Sequence, residues 1–145
     1  MKTFPAIFIF SLTTLLIACG KDKYESKPRL EFKDYDRIVD STRDLTIRIS
    51  YFDKEGDLNE AEIIGIKERL NNFPPPSINL GDTFRNILPE YPPKDFGEIT
   101  FQLNYSRLDE SVNQNDTVRF RFAVTDKAGN KSDTITTDMI VARKP

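Results

Sequence analysis

An all-β domain of short antiparallel strands is the fold class this sequence predicts, on three observations. First, strict apolar–polar alternation recurs, in Leu45-Thr-Ile47-Arg-Ile49-Ser-Tyr51, in Ile99-Thr-Phe101-Gln-Leu103-Asn-Tyr105 and in Val118-Arg-Phe120-Arg-Phe122-Ala-Val124. A period of two marks a strand with one buried and one wet face, an arrangement that antiparallel sheets tolerate. Second, no stretch offers a long amphipathic helix. Glu60–Leu70 comes nearest, but adjacent Ile63, Ile64 and Ile66 around Gly65 favour a buried strand there. Third, the candidate strands number about seven in roughly 110 residues, the count of an immunoglobulin-like sandwich.

In order, the strands are expected over 29–39, 44–52, 61–70, 83–88, 97–105, 117–125 and 133–142. The first joins Arg29–Lys33 to Arg37–Val39, and Thr83–Leu88 carries the weakest signal. The chain has no tryptophan and a single cysteine, so the disulfide and tryptophan of antibody domains are missing. Apolar packing of Ile47, Ile49, Phe101, Phe120 and Phe122 is expected to hold the core instead.

The N-terminus reads differently. Met1-Lys2-Thr3 carries one positive charge, and Phe4–Ala18 is an uncharged, mostly apolar run. Fifteen residues fall short of the ~20 that a bilayer-spanning helix needs, and the run ends in small residues, as a cleavable secretory signal does. Leu16-Ile17-Ala18-Cys19 resembles the lipobox of bacterial lipoproteins. A thiol is the one side chain here that takes a diacylglycerol as a thioether, and the following peptidase needs a small residue at the cleaved bond. The resemblance implies cleavage before Cys19, acylation of that residue with palmitate among its chains, and outer-membrane attachment. Two or more acyl chains hold a protein stably where one does not.

The expected organisation is therefore a signal peptide over 1–18, lipidated Cys19 with a flexible charged tether over 19–28, and one sandwich domain over 29–145. Gly20-Lys21-Asp22 loosely resembles the export tags of surface lipoproteins in the Bacteroidota, which favours the cell surface over the periplasmic face. The net charge of −2 offers no basic face for nucleic acid.

Phe52-Asp-Lys-Glu-Gly-Asp-Leu58 and Val124-Thr-Asp-Lys-Ala-Gly-Asn-Lys-Ser132 resemble the turns of small Bacteroidota lipoproteins with Ig-like or PKD-like domains. That resemblance spans most of residues 29–142 and implies fold and location, with no catalytic residues to carry over. The turns have their own chemistry. In an Ig-like sandwich both emerge at one end, which would bring Asp53, Glu55 and Asp57 near Asp126 and Asn130. Five side-chain oxygen donors suit Ca2+, which takes 6–8 oxygens. Plain turn chemistry is the other reading, with Gly56 and Gly129 at positive φ and Asp and Asn bonding their own backbone.

Residues 71–96 hold six of the nine prolines, with Phe73, Tyr91 and Phe96 among them. So long a connection is often functional, and these aromatics are candidate ligand-binding residues. Edge protection by proline is the competing explanation. Arg48, Arg119 and Arg121 alternate on outward faces, as a glycan or acidic-ligand patch or as a solvated face paired with carboxylates. Asp40-Ser41-Thr42, Asp116-Thr117-Val118 and Asp133-Thr134-Ile135 resemble O-glycosylation sites of exported Bacteroidota proteins, with Ser41 the best exposed.

The chain contains no histidine, which removes Ser-His and Cys-His pairs and the commonest general base. Gly-rich phosphate loops, GxSxG and HExxH are also missing. The expected function is a non-catalytic, lipid-anchored binding or adhesion module that presents loops to a glycan, peptide or protein at the cell envelope. The alternative is a periplasm-facing structural subunit of an envelope complex. A carboxylate-dependent hydrolase comes third, since two acids suffice for glycoside chemistry.

Overall fold

The computed structural model describes residues 27–71 and 82–145. Residues 1–26, with Cys19 and most of the tether, and residues 72–81 lie outside the described part. Within it the chain is all-β. The strands are β1 (Arg29–Tyr35), β2 (Ile38–Val39), β3 (Leu45–Phe52), β4 (Glu62–Arg69), β5 (Thr83–Ile87), β6 (Phe96–Leu103), β7 (Asp116–Thr125), β8 (Ile135–Thr136) and β9 (Ile140–Ala142). Helical structure among the described residues is a single 3-10 turn, Tyr105–Arg107.

One sheet has the order β1-β3-β6, the other β2-β9-β7-β4-β5, with β8 also on β7. All pairs are antiparallel except β2 with β9, which is parallel. The alternation seen in the sequence is the alternation of burial. Leu45, Ile47, Ile49 and Tyr51 point in from β3, and Val118, Phe120, Phe122 and Val124 point in from β7. Rings join the sheets: Phe101 of β6 lies 5.7 Å from Phe120 and 5.2 Å from Phe122, and Phe32 of β1 lies 6.3 Å from Phe122. Each such side chain contributes about 1.5–3 kcal/mol on leaving water.

Three expectations need correcting. The segment 29–39 is two strands in different sheets, not one. After Tyr35 the chain leaves β3 and crosses through Asp36–Arg37, and Ile38–Val39 pairs in parallel with β9. The strand pairing is thus not wholly antiparallel. The segment 133–142 is likewise broken, because the register against β7 slips between Thr136 and Ile140. There Thr137 turns inward, and its hydroxyl accepts the Phe120 N–H at 2.9 Å.

The third correction concerns β4. Its inward face carries Ile63, Gly65 and Lys67, while Ile64 and Ile66 sit half-buried on the outer face. Gly65 is required, since a Cβ there would come within 2.8 Å of the Phe122 ring. The Lys67 side chain is fully buried and forms an ion pair with Glu110, itself 6% exposed. The Lys67 ammonium also donates to the Arg107 carbonyl at 3.0 Å. Next to it, buried Asp116 accepts the N–H groups of Glu110 at 2.8 Å and Ser111 at 2.7 Å. This polar knot fastens residues 107–111 to the second sheet.

Removing one partner of a buried pair strands the other charge, whereas removing both can be nearly neutral. Lys67→Met is therefore expected to cost about 3–5 kcal/mol in denaturant unfolding, and adding Glu110→Leu should return most of it. A double variant no more stable than the single one would show that the pair is not the source of the loss.

Candidate functional site

Two turns meet at one end of the molecule. The first joins β3 to β4. Pairing of Phe52 with Phe96 continues into a bond from the Asp53 N–H to the Asp95 carbonyl at 2.7 Å, which plants Asp53 at the sheet end. The chain then reverses through Gly56, whose φ of 67° favours glycine and whose N–H donates to the Asp53 carbonyl at 3.1 Å. The Asp57 N–H donates to Asp53 Oδ2 at 2.8 Å, and fully buried Leu58 anchors the far side.

The second turn joins β7 to β8. Asp126 receives the Asn130 N–H on Oδ1 at 2.7 Å and the Asn130 side-chain amide on Oδ2 at 2.9 Å, while Gly129 supplies a φ of 89°. Pairing of Glu62 with Thr125 sets this turn beside the first, and a Lys127–Glu60 ion pair at 2.7 Å ties them together.

Asp53, Glu55, Asp57 and Asp126 converge. One carboxylate oxygen of each lies within 4.8 Å of the others, with Asp53 and Asp126 buried, Asp57 half-buried and Glu55 exposed. Asn130 arrives with them, but its donors are directed at Asp126, so it orients that carboxylate. Asp53 is 3% exposed, yet its Oδ1 has no hydrogen-bond partner, nor does the buried Oδ1 of Asp57. Burial pushes the Asp53 carboxyl above its ordinary value. The Asp57 N–H pulls it partly back, and the negative charges of Asp57 and Asp126 raise it again. The spacing of acids in the sequence named these residues; their burial was not legible there.

Beside the acidic end, a cavity of about 590 Å³ opens between the sheets where β6 and β5 are the outermost strands among the described residues. Tyr51, Phe84, Tyr91 and Phe101 supply its aromatic surface, with Lys94 and Glu98 among the charged groups. Gly97 makes the room, since a Cβ there would lie 2.5 Å from the Tyr51 hydroxyl. Among the described residues Glu98 is the one acid at the cavity wall, and it pairs with Lys33. The Tyr91 hydroxyl is buried without a partner, and burial followed by the neighbouring Tyr51 raises its pKa.

Cavity and acidic end share a wall. The backbone of Lys94 lies 3.1 Å from where a Gly56 Cβ would sit, so the first turn rests directly on the 94–95 segment.

Of the expected ligand-binding aromatics within the described residues, Tyr91 lines this cavity and Phe96 does not. Phe96 points outward, 66% exposed, and Phe73 lies outside the described residues, as does Cys19. The outward arginines are paired: Arg48 with Asp34 at 2.5 Å, and Arg119 and Arg121 with Glu68 at 2.5 and 3.1 Å. The charged patch is thus a set of surface ion pairs. Ser41 is exposed in a turn, and Thr134 is exposed as well, while Thr117 spends its hydroxyl on Asn71 at 3.0 Å. Tyr51, Phe84 and Gly97 were missed as cavity residues because alternation marks all inward residues alike.

No protein-family model matches the chain, and no curated protein sequence does. A mutant β-glucosidase from Listeria innocua in complex with laminaribiose is similar over 81% of this chain and 16% of its own, at 12% identity and a TM-score of 0.46. The β-glucosidase from that organism in complex with glucose is similar over 82% of this chain and 16% of its own, at 11% identity and a TM-score of 0.43. The chain thus spans about a sixth of these enzymes, and the likeness bears on neither substrate nor reaction.

An unpaired buried hydroxyl costs about 1–3 kcal/mol. Tyr91→Phe, which keeps the ring and removes the hydroxyl, is accordingly expected to leave thermal stability unchanged or raise it. A clear drop in Tm would mean that the hydroxyl has a partner in solution.

Proposed function

We propose that this chain is a non-catalytic binding module on an immunoglobulin-like sandwich, held at the outer membrane by lipid on Cys19. The cavity between β5 and β6 is the observation that carries the reading. Its volume of about 590 Å³ falls within the ~300–1,000 Å³ range of ligand pockets, and it combines aromatic walls with a few polar groups, the usual composition of such sites. Tyrosine and phenylalanine faces suit a sugar ring or an apolar peptide side chain, while Lys94 and Glu98 can fix its orientation. The immunoglobulin-like description draws support from the strand order. β1, β3 and β6 take the places of strands A, B and E, and β9, β7 and β4 those of G, F and C.

The ligand is a short glycan or peptide presented at the cell envelope. Binding to glycan and peptide arrays by the full chain in detergent, beside the variant Ile99→Trp, tests this. Ile99 is half-buried at the cavity wall, so an indole there fills the space. The wild type is expected to retain a ligand that the variant loses at least tenfold. Equal binding by both, or none by the wild type, removes the cavity from the account.

Anchoring has its own test. Cys19→Ser should abolish labelling with a palmitate analogue and move the protein from the membrane to the soluble fraction. Proteolysis of the wild type on intact cells is expected, in keeping with surface display. Protection until lysis would place the domain on the periplasmic face and favour a structural role in an envelope complex.

A further inference from the structure

We infer that Asp53, Glu55, Asp57 and Asp126 hold a calcium ion that clamps the β3–β4 turn to the β7–β8 turn. Turn chemistry accounts for only part of what these acids do. It uses Asp53 Oδ2 for the Asp57 N–H and both oxygens of Asp126 for Asn130. It leaves the Oδ1 atoms of Asp53 and Asp57 buried and unpartnered. A carboxylate oxygen out of water without a partner is costly.

The other buried acids show how this protein treats such groups when no ion is needed. Glu110 has the Lys67 ammonium, and Asp116 has two N–H groups, the Ser111 hydroxyl at 2.6 Å and Arg69 at 3.5 Å. At the acidic end the charged neighbours of buried Asp53 are the carboxylates of Asp57 and Asp126 instead. That arrangement concentrates negative charge about a point, which a hard cation relieves.

The dimensions agree. Ca2+ binds oxygens at about 2.3–2.6 Å, so oxygens on opposite sides of one ion lie about 4.6–5.2 Å apart. The four carboxylates fit inside that span, within 4.8 Å of one another. An all-oxygen set of acids from two loops suits calcium, whose coordination is flexible, better than Mg2+, which demands near-ideal octahedral geometry and keeps most of its water. Water or backbone carbonyls complete the six to eight ligands. Asp126 is presented in fixed orientation by Asn130, and Asp53 by its backbone bond to Asp95.

Thermal unfolding and terbium luminescence of the full chain in detergent decide the matter. Millimolar Ca2+ should raise Tm by roughly 5–15 °C over chelator, while Mg2+ at the same concentration should do little. Tb3+ should luminesce on tyrosine excitation, since Tyr51 and Tyr91 lie close and the chain has no tryptophan, and Ca2+ should quench that signal by competition. Exposed Glu55 is the variant least able to disturb folding. Glu55→Gln and Asp57→Asn are each expected to weaken Ca2+ at least tenfold without lowering the chelator-state Tm, and Asp53→Asn to abolish binding. Absence of a Tm shift with absence of sensitised luminescence overturns the site, as does Ca2+ affinity unchanged in both Glu55→Gln and Asp57→Asn. Because no cavity residue is altered, loss of this site and loss of ligand binding at the cavity are read separately.

Discussion

The pairing of β4 with β7 is the constraint on which the rest of the molecule depends. It runs over the whole of β4 and eight of the ten residues of β7, from Glu62 opposite Thr125 to Arg69 opposite Val118. A slip of one residue would turn every side chain of β4 to the other face. Lys67 would leave Glu110, Ile64 and Ile66 would enter a core already filled, and a bulkier group would replace Gly65 beneath Phe122. The same register sets the end of β7 beside the start of β4. Asp126 therefore follows directly on the residue opposite Glu62, and the β3–β4 turn arrives alongside it.

The inward face of β4 makes that register unusually well specified. An apolar face alone tolerates sliding, because one isoleucine packs much like another. Gly65 and Lys67 do not. The glycine accepts the Phe122 ring where a Cβ would clash, and the lysine has a single buried carboxylate to meet. Such an ion pair adds little to stability once both charges are desolvated, yet it strongly penalises arrangements that separate them. Its effect here is to choose among packings that apolar burial would leave close in energy.

Much of this was legible in the sequence where a residue's role depends on its near neighbours. Alternation in Leu45–Tyr51 and Val118–Val124 reports burial directly, because the period of a strand is a local property. The turns at Asp53–Asp57 and Asp126–Asn130 were legible for the same reason, and strand order alone then brought them to one end. What escaped depends on distant partners. Ile63-Ile64-Gly65-Ile66 is apolar on both faces, so pattern could not say that the glycine and Lys67 point inward. Glu110 lies 43 residues from its lysine. The break after Tyr35 is invisible because Ile38 and Val39 continue a strand-like pattern into the other sheet. Phe96 reads as a site aromatic by its company in a proline-rich stretch, yet its place in the pleat directs it outward.

The acidic turn and the cavity are structurally joined. Asp53 closes β3 by bonding Asp95, and the turn it begins lies on the backbone of Lys94, so the acidic turn and the cavity wall share a segment. Like charges gathered in that turn repel one another, and the turn lies against residues 94–95, which with Tyr51 and Tyr91 belong to the same wall. A cation among the carboxylates reverses the sign of that force. It would hold the turn down on the wall and preserve the shape of the space between Tyr51, Tyr91 and Gly97. Were an ion held by that turn and a ligand by the cavity, the two would not have to touch to favour one another, since both would rest on the same 94–95 segment.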